Sequence, residues 1–130
     1  MNKEIAKIAA KWWADKLRSP AMLDNGDNSE AGFMTNVLAT IVQQSEREDV
    51  TESKISKFEE ELTKLITKMD KGYVYIGVDY DPCVVLSDAA QKADLKLGMT
   101  TLPWKTNMNI DPNGTIEVSE GYGGEWHEVK

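Results

Sequence analysis

Trp104, Lys105, Thr106 and Asn107 stand side by side in this chain, with Thr100 and Thr101 just before them and Asn109 and Tyr122 following. An indole, an ammonium, hydroxyls, amides and a phenol in one short stretch are the chemistry of recognition. Aromatic faces stack on a planar ligand, amides and hydroxyls read its edges, and a cation meets its charge. The same residues also fit a half-buried strand in which Trp104 and Tyr122 are core and their polar neighbours face water, and both readings stay open. Asp79 adds a carboxylate at the end of an earlier strand, where loops beside a sheet often carry sites. The candidate ligand-binding set is therefore Asp79, Trp104, Lys105, Thr106, Asn107 and Tyr122.

Catalytic and metal chemistry are poorly supplied by comparison. His127 is the only histidine and Cys83 the only cysteine. A Ser-His-Asp apparatus would need His127 as its base, and no G-x-S-x-G turn accompanies it. Cys83 falls in the first turn of an expected helix, where a thiolate is favoured, but no base adjoins it in sequence. Asp79 and Asp81 flank Tyr80, yet acid–base work needs two carboxyls at a fixed separation, and Asp81 is expected to cap a helix. One His with one Cys falls short of a zinc site. The loop at 23–30, LDNGDNSE, lacks the alternating aspartates and twelfth-position Glu of a Ca²⁺ loop. Gly-Tyr-Gly-Gly at 121–124 precedes a strand pattern instead of a helix, so it is read as a turn and not as a phosphate cradle. No catalytic residue, metal or cofactor is assigned.

The elements that must position the candidate residues follow from periodicity. Asn2 caps a first helix over 3–18 whose apolar face is Ile5, Ile8, Ala9, Trp12, Trp13, Ala14 and Leu17. Adjacent tryptophans on a helix diverge by about 100°, so either one enters the core while the other meets a second element or a second subunit, or both are core within one chain. A second helix is expected over 30–46, with Phe33, Met34, Val37, Leu38, Ile41 and Val42 on its face. Asp49 or Thr51 caps a third over 52–70, stopped by Gly72, with Ile55, Phe58, Leu62, Leu65, Ile66 and Met69 inward. Glu59, Glu60 and Glu61 are placed on its wet side.

At Tyr73 the pattern changes. YVYIGVDY reads as a strand over 73–79, and Asp81-Pro82 then opens a short helix over 82–93, buried through Val85, Leu86, Ala89, Ala90 and Ala93. Strand, helix and strand in succession suggest an α/β unit. Residues 99–102 and 105–110 are two short strands or one strand interrupted at Pro103. Asp111-Pro112-Asn113-Gly114 turns the chain into a strand with Ile116 and Val118 inward, and EWHEV at 125–129 closes the sheet. The expected fold class is α+β: an N-terminal layer of about three helices packed on a small, mainly antiparallel C-terminal sheet with one short helix. All 130 residues form one domain, with a helical half at 1–70 and a sheet half at 71–130.

Composition narrows the partners. The chain is 41% hydrophobic and 28% charged, ordinary for a folded water-soluble domain, and carries a net charge of −7. That balance argues against direct nucleic-acid binding, which needs stripes of Lys and Arg. The only arginines, Arg18 and Arg47, lie in the helical half. No apolar run is long enough to span a membrane, the N-terminus is amphipathic instead of signal-like, and a lone cysteine suits a reducing compartment. The expectation is a protein of the bacterial host cytoplasm, with no membrane partner. Two neighbouring tryptophans offer apolar surface for a homo-oligomer built through the N-terminal helices.

The strings VDYDP, LSDAAQKADLKLGMTTLPWKTNMNI and GTIEVSEGYG, with KWWADKLR and LDNGDNSEAGFM earlier, resemble a family of small, uncharacterised phage and prophage proteins of Gram-positive bacteria, of which PWKT and GYG are the most specific elements. The resemblance covers nearly the whole chain and implies a host-defence antagonist similar to anti-Thoeris nucleotide sponges. On that footing the expected function is a non-enzymatic, phage-derived binding protein that sequesters a small nucleotide-type immune signal. A sponge of this kind would be expected to place arginines in its sheet, and this sheet half has none, so Lys105 and backbone N–H groups would have to serve. One alternative is an acidic inhibitor of the anti-CRISPR type that occupies the nucleic-acid-binding surface of a host defence protein. Another is a small hydrolase using Asp79, His127 or Cys83.

Overall fold

In the computed structural model, residues 2–18, 50–69, 72–79, 81–97, 102, 105–121 and 123–129 are described. Among them, chain order runs α1 (Lys3–Arg18), α2 (Glu52–Thr67), β1 (Val74–Val78), α3 (Val84–Lys92), β2 (Thr106–Ile110), β3 (Ile116–Ser119) and β4 (His127–Val129). The fold is α+β, with helices on one face of an antiparallel sheet of order β1-β2-β3-β4. The helix expected over 30–46, the loop before it and the strand expected over 99–102, except Leu102, lie outside the described residues.

Alanine sets the approach of α1. Ala6, Ala9, Ala10 and Ala14 are buried with Trp13 and Leu17, so the helix presents a flat face with one large anchor. The face is rotated from the expected one, because four alanines together with Trp13 bury more readily than Ile8, which stays 38% exposed. Trp12 meets Trp13 edge to face at 5.0 Å, and Lys16 Nζ lies 4.7 Å above the Trp12 ring. Trp13 is thus buried within one chain, while Trp12 is half-buried at the edge of the core.

Thr51 begins α2, its hydroxyl accepting the Lys54 N–H at 3.3 Å, and Ile55, Phe58, Leu62 and Ile66 fill the core. The helix ends at Thr67, before Gly72: Lys68 N–H still makes an i→i−4 bond to Lys64 C=O at 3.2 Å, but Met69 N–H turns to Ile66 C=O at 3.0 Å, tightening the chain out of the α-helix. Glu61 departs from the expected wet face. It is buried between turns, with Lys57 Nζ at 3.1 Å and Lys64 Nζ at 3.5 Å, and the Lys57 hydrogen bond holds its pKa below the usual carboxylate value. Arg18 ties α1 to α2 through Glu52, at 2.9 Å.

Strand alternation sorts the sheet into two faces. Val74, Ile76 and Val78 pair with Ile110, Met108 and Thr106, and Met108 and Ile110 pair onward with Val118 and Ile116. These residues face the helices and are buried. The opposite face carries Tyr75, Gly77, Asn107, Asn109, Glu117 and Glu128. Between β2 and β3, Asp111 Oδ1 accepts N–H groups of Asn113 and Thr115, both at 2.9 Å, and Gly114 N–H returns to Asp111 C=O at 2.9 Å. Gly114 at φ +89 completes a type I turn with a glycine bulge. A Cβ there would also meet the end of the Ile5 side chain of α1, which can turn aside, so the positive φ is what calls for glycine.

Two expectations are corrected around α3. β1 and β2 are antiparallel neighbours, so α3 is an insertion in a meander and not the crossover of a parallel α/β unit. Asp81 does not cap the helix either. Pro82 bridges to Val78, Cys83 N–H bonds Gly77 C=O at 2.9 Å, and Cys83 becomes an N-cap without a side-chain bond. Residues 81–83 are drawn back along the free edge of β1, which delays the helix to Val84 and covers part of an exposed strand edge.

Candidate functional site

The site is built at the open end of β1 and β2, on the face turned away from the helices. Tyr75 and Gly77 are two residues apart on β1 and share that face. A Cβ at Gly77 would fall 2.7 Å from Tyr75 Cζ, which places the tip of the phenol over the glycine. Its hydroxyl donates to Asn107 Oδ1 at 2.5 Å across the strand pair, while Asn107 Nδ2 makes a long contact of 3.5 Å with Lys105 C=O. The ring is pinned at its tip by the Asn107 bond and remains 55% exposed, so much of it stays open to solvent.

Lys105 and Asp79 complete the cluster. Lys105 N–H donates to Asp79 C=O at 3.2 Å, and Lys105 Nζ pairs with Asp79 Oδ1. Lys105 has φ +54, a left-handed conformation that a residue with a Cβ adopts at a cost of about 1 kcal/mol or more. Partial burial of the Tyr75 hydroxyl, then the negative potentials of Cys83 and Asp79, push its pKa above the ordinary tyrosine value, and Lys105 opposes them. The phenol therefore stays protonated and keeps donating to Asn107.

Of the candidates read from the sequence, Asp79, Lys105 and Asn107 are brought together. Thr106, between the last two, points the other way. It is fully buried opposite Val78 on the helix-facing side, so strand alternation removes it from the cluster. Trp104 and Tyr122 lie outside the described residues. Tyr75 and Gly77 were not singled out as site residues, although the Tyr-x-Gly spacing in YVYIGVDY carries the signal: an aromatic ring two residues before a same-face glycine has room to lie down.

The residues of a hydrolase do not converge. Cys83 and Asp79 are near the end of β1, whereas His127 is on β4, three strand spacings or about 14 Å across the sheet. Among the described residues, no three of His, Cys, Asp or Glu are grouped to hold a metal ion, and no helix is long and apolar enough to cross a membrane. The glutamates of α2 do not form an acidic stripe, since Lys57 and Lys64 are interleaved with Glu60 and Glu61. No protein-family model matches the chain, and no characterised protein matches its sequence.

Proposed function

We propose that this is a non-enzymatic binding protein for a small nucleotide-type ligand, seated on the outer face of the sheet at the end of β1 and β2. The observation that carries the reading is the exposed Tyr75 phenol, its tip over Gly77 and fastened to Asn107, beside Lys105. A preorganised ring stacks on any planar base without first losing rotamer freedom. Asn107 retains hydrogen-bonding capacity for a base edge, and Lys105 supplies a cation for a phosphate. The resemblance to phage anti-defence proteins supports the same ligand class and the role of withdrawing an immune signal from its receptor.

The test is calorimetric titration and thermal shift with adenosine monophosphate, ADP-ribose and a cyclic dinucleotide, followed by mass analysis of the ligand recovered after heat denaturation. A ligand at one hundred times its Kd should add about 2.7 kcal/mol of stability, and the recovered mass should be unchanged. Neither stabilisation nor retention by any of the three removes the reading. Recovery of a cleaved product replaces it with the hydrolase.

A further inference from the structure

We propose that Asp79 is an internal stand-in for the ligand's phosphate: its carboxylate occupies Lys105 in the free protein and leaves when a phosphate-bearing ligand arrives. This rests on the nucleotide-binding reading above and assigns Asp79 the opposite role to that of a ligand contact. The observations are the two distinct ways in which Asp79 holds Lys105. Its backbone carbonyl accepts the Lys105 N–H and fixes the chain in the left-handed conformation. Its side chain, independently, takes the ammonium. The first contact builds the site, and the second fills it.

Exposure decides which partner gives way. The Lys105 side chain is 27% exposed and that of Asp79 is 67% exposed, so the cation is the held partner and the carboxylate the loose one. An ion pair this open to water contributes only about 0–1 kcal/mol. A phosphate with close to two charges and three acceptor oxygens competes for the same ammonium on better terms than one carboxylate does. Tyr75 is already joined to Asn107, whose amide approaches the Lys105 carbonyl, so the ring and the amide that would hold a base adjoin the residue that bears the cation. In a chain of net charge −7, an internal carboxylate on this lysine also raises the threshold for other anions. Monoanions gain too little to displace it, which makes Asp79 a filter for phosphate-bearing ligands.

The experiment is titration of adenosine monophosphate and of adenosine into the wild type, Asp79→Asn, Lys105→Met and the double variant. Asparagine keeps the backbone carbonyl that positions Lys105 and removes only the competing charge. Asp79→Asn is expected to tighten adenosine monophosphate about three- to five-fold, the span of a released surface ion pair, and to leave adenosine unchanged. Lys105→Met should erase the preference for the monophosphate, and adding Asp79→Asn to it should then have no effect. Circular dichroism and thermal midpoints confirm that each variant folds. Weaker binding of the monophosphate by Asp79→Asn would overturn the proposal and make Asp79 a ligand contact. Equal tightening of both ligands would overturn it in favour of an effect on site shape. Binding of neither ligand to wild type or variants would defeat the nucleotide reading itself, and the filter with it.

Discussion

On β2, Met108 and Ile110 reach into the helical layer and are fully buried, whereas Asn107 and Asn109, each one residue away, reach the opposite surface. The same division runs through the neighbouring strands: Ile76 against Tyr75 and Gly77 on β1, Val118 against Glu117 on β3. The inner face is apolar and meets alanine-rich α1 and the Phe58–Leu62–Ile66 ridge of α2. The outer face has an aromatic ring, amides and carboxylates. Stability should therefore reside in one face and recognition in the other, and substitutions on alternate residues of one strand should separate the two.

The largest effect is expected on the inner face. Met108 is fully buried at the centre of the sheet, paired with Ile76 on one side and Val118 on the other. Met108→Ala leaves a cavity that flanking strands cannot close, at a cost of about 2–5 kcal/mol. Urea unfolding should show an earlier midpoint with an unchanged slope, and ligand affinity per folded molecule should stay within two-fold or so of wild type, since ΔΔG there acts on folding alone. A large loss of affinity at full folding would mean that the two faces are coupled through the strand.

A smaller change in stability and a larger one in binding are expected from Gly77→Ala. Gly77 lies within a strand, so alanine suits its backbone, but the new methyl would sit 2.7 Å from Tyr75 Cζ and 3.0 Å from Thr106 C=O. The ring, being the end of a side chain, swings away and gives up its bond to Asn107. Losing that bond costs about 0.5–1.5 kcal/mol, offset by about 0.4–1 kcal/mol from the lower entropy of the unfolded alanine chain. The tight contact with the Thr106 carbonyl, which is backbone and cannot swing aside, tips that balance to a slight loss of stability, while nucleotide binding falls more. The side-chain amide resonances of Asn107 report the swing directly, and unchanged resonances with unchanged affinity would show that the ring does not depend on the glycine beneath it.

The inner face was legible in the sequence and most of the outer face was not. Val74, Ile76, Ile116 and Val118 follow from period-two alternation, and the Asp111–Gly114 turn from its residue types, because burial and backbone conformation act locally. Lys105 and Asn107 were legible as chemistry. Their separation from Thr106 required the register of β2 against β1, which is set by pairing at a distance. Asp81 shows the same limit from the other side. Its Asp-Pro signal for a helix start is a local preference, overridden when residues 81–83 satisfy the edge of β1. Glu61 was misplaced because three consecutive glutamates cannot share one helical face, and the one turned inward is retained by lysines one turn before and after it. Tyr75 was read only as a strand former, since its own position shows the signal only when taken together with Gly77, over which its phenol tip rests.

The smallest effect is expected where the outer face opposes itself. Glu117 of β3 and Glu128 of β4 are directly opposite each other and exposed. Like charges in that position repel, and a charge reversal at one of them gains roughly 0.2–1 kcal/mol. Glu117→Lys should therefore raise the thermal midpoint slightly at low ionic strength. Because the pair is open to water, the gain should fade in 1 M salt, where the screening length is about 3 Å. Glu117→Gln, which removes the repulsion without creating an attraction, should fall between the two. A salt-independent change of either sign would mean that position 117 acts through packing. The outer face would then share in the stability that the comparison assigns to the inner one, and the separation of the two faces would fail at β3 first.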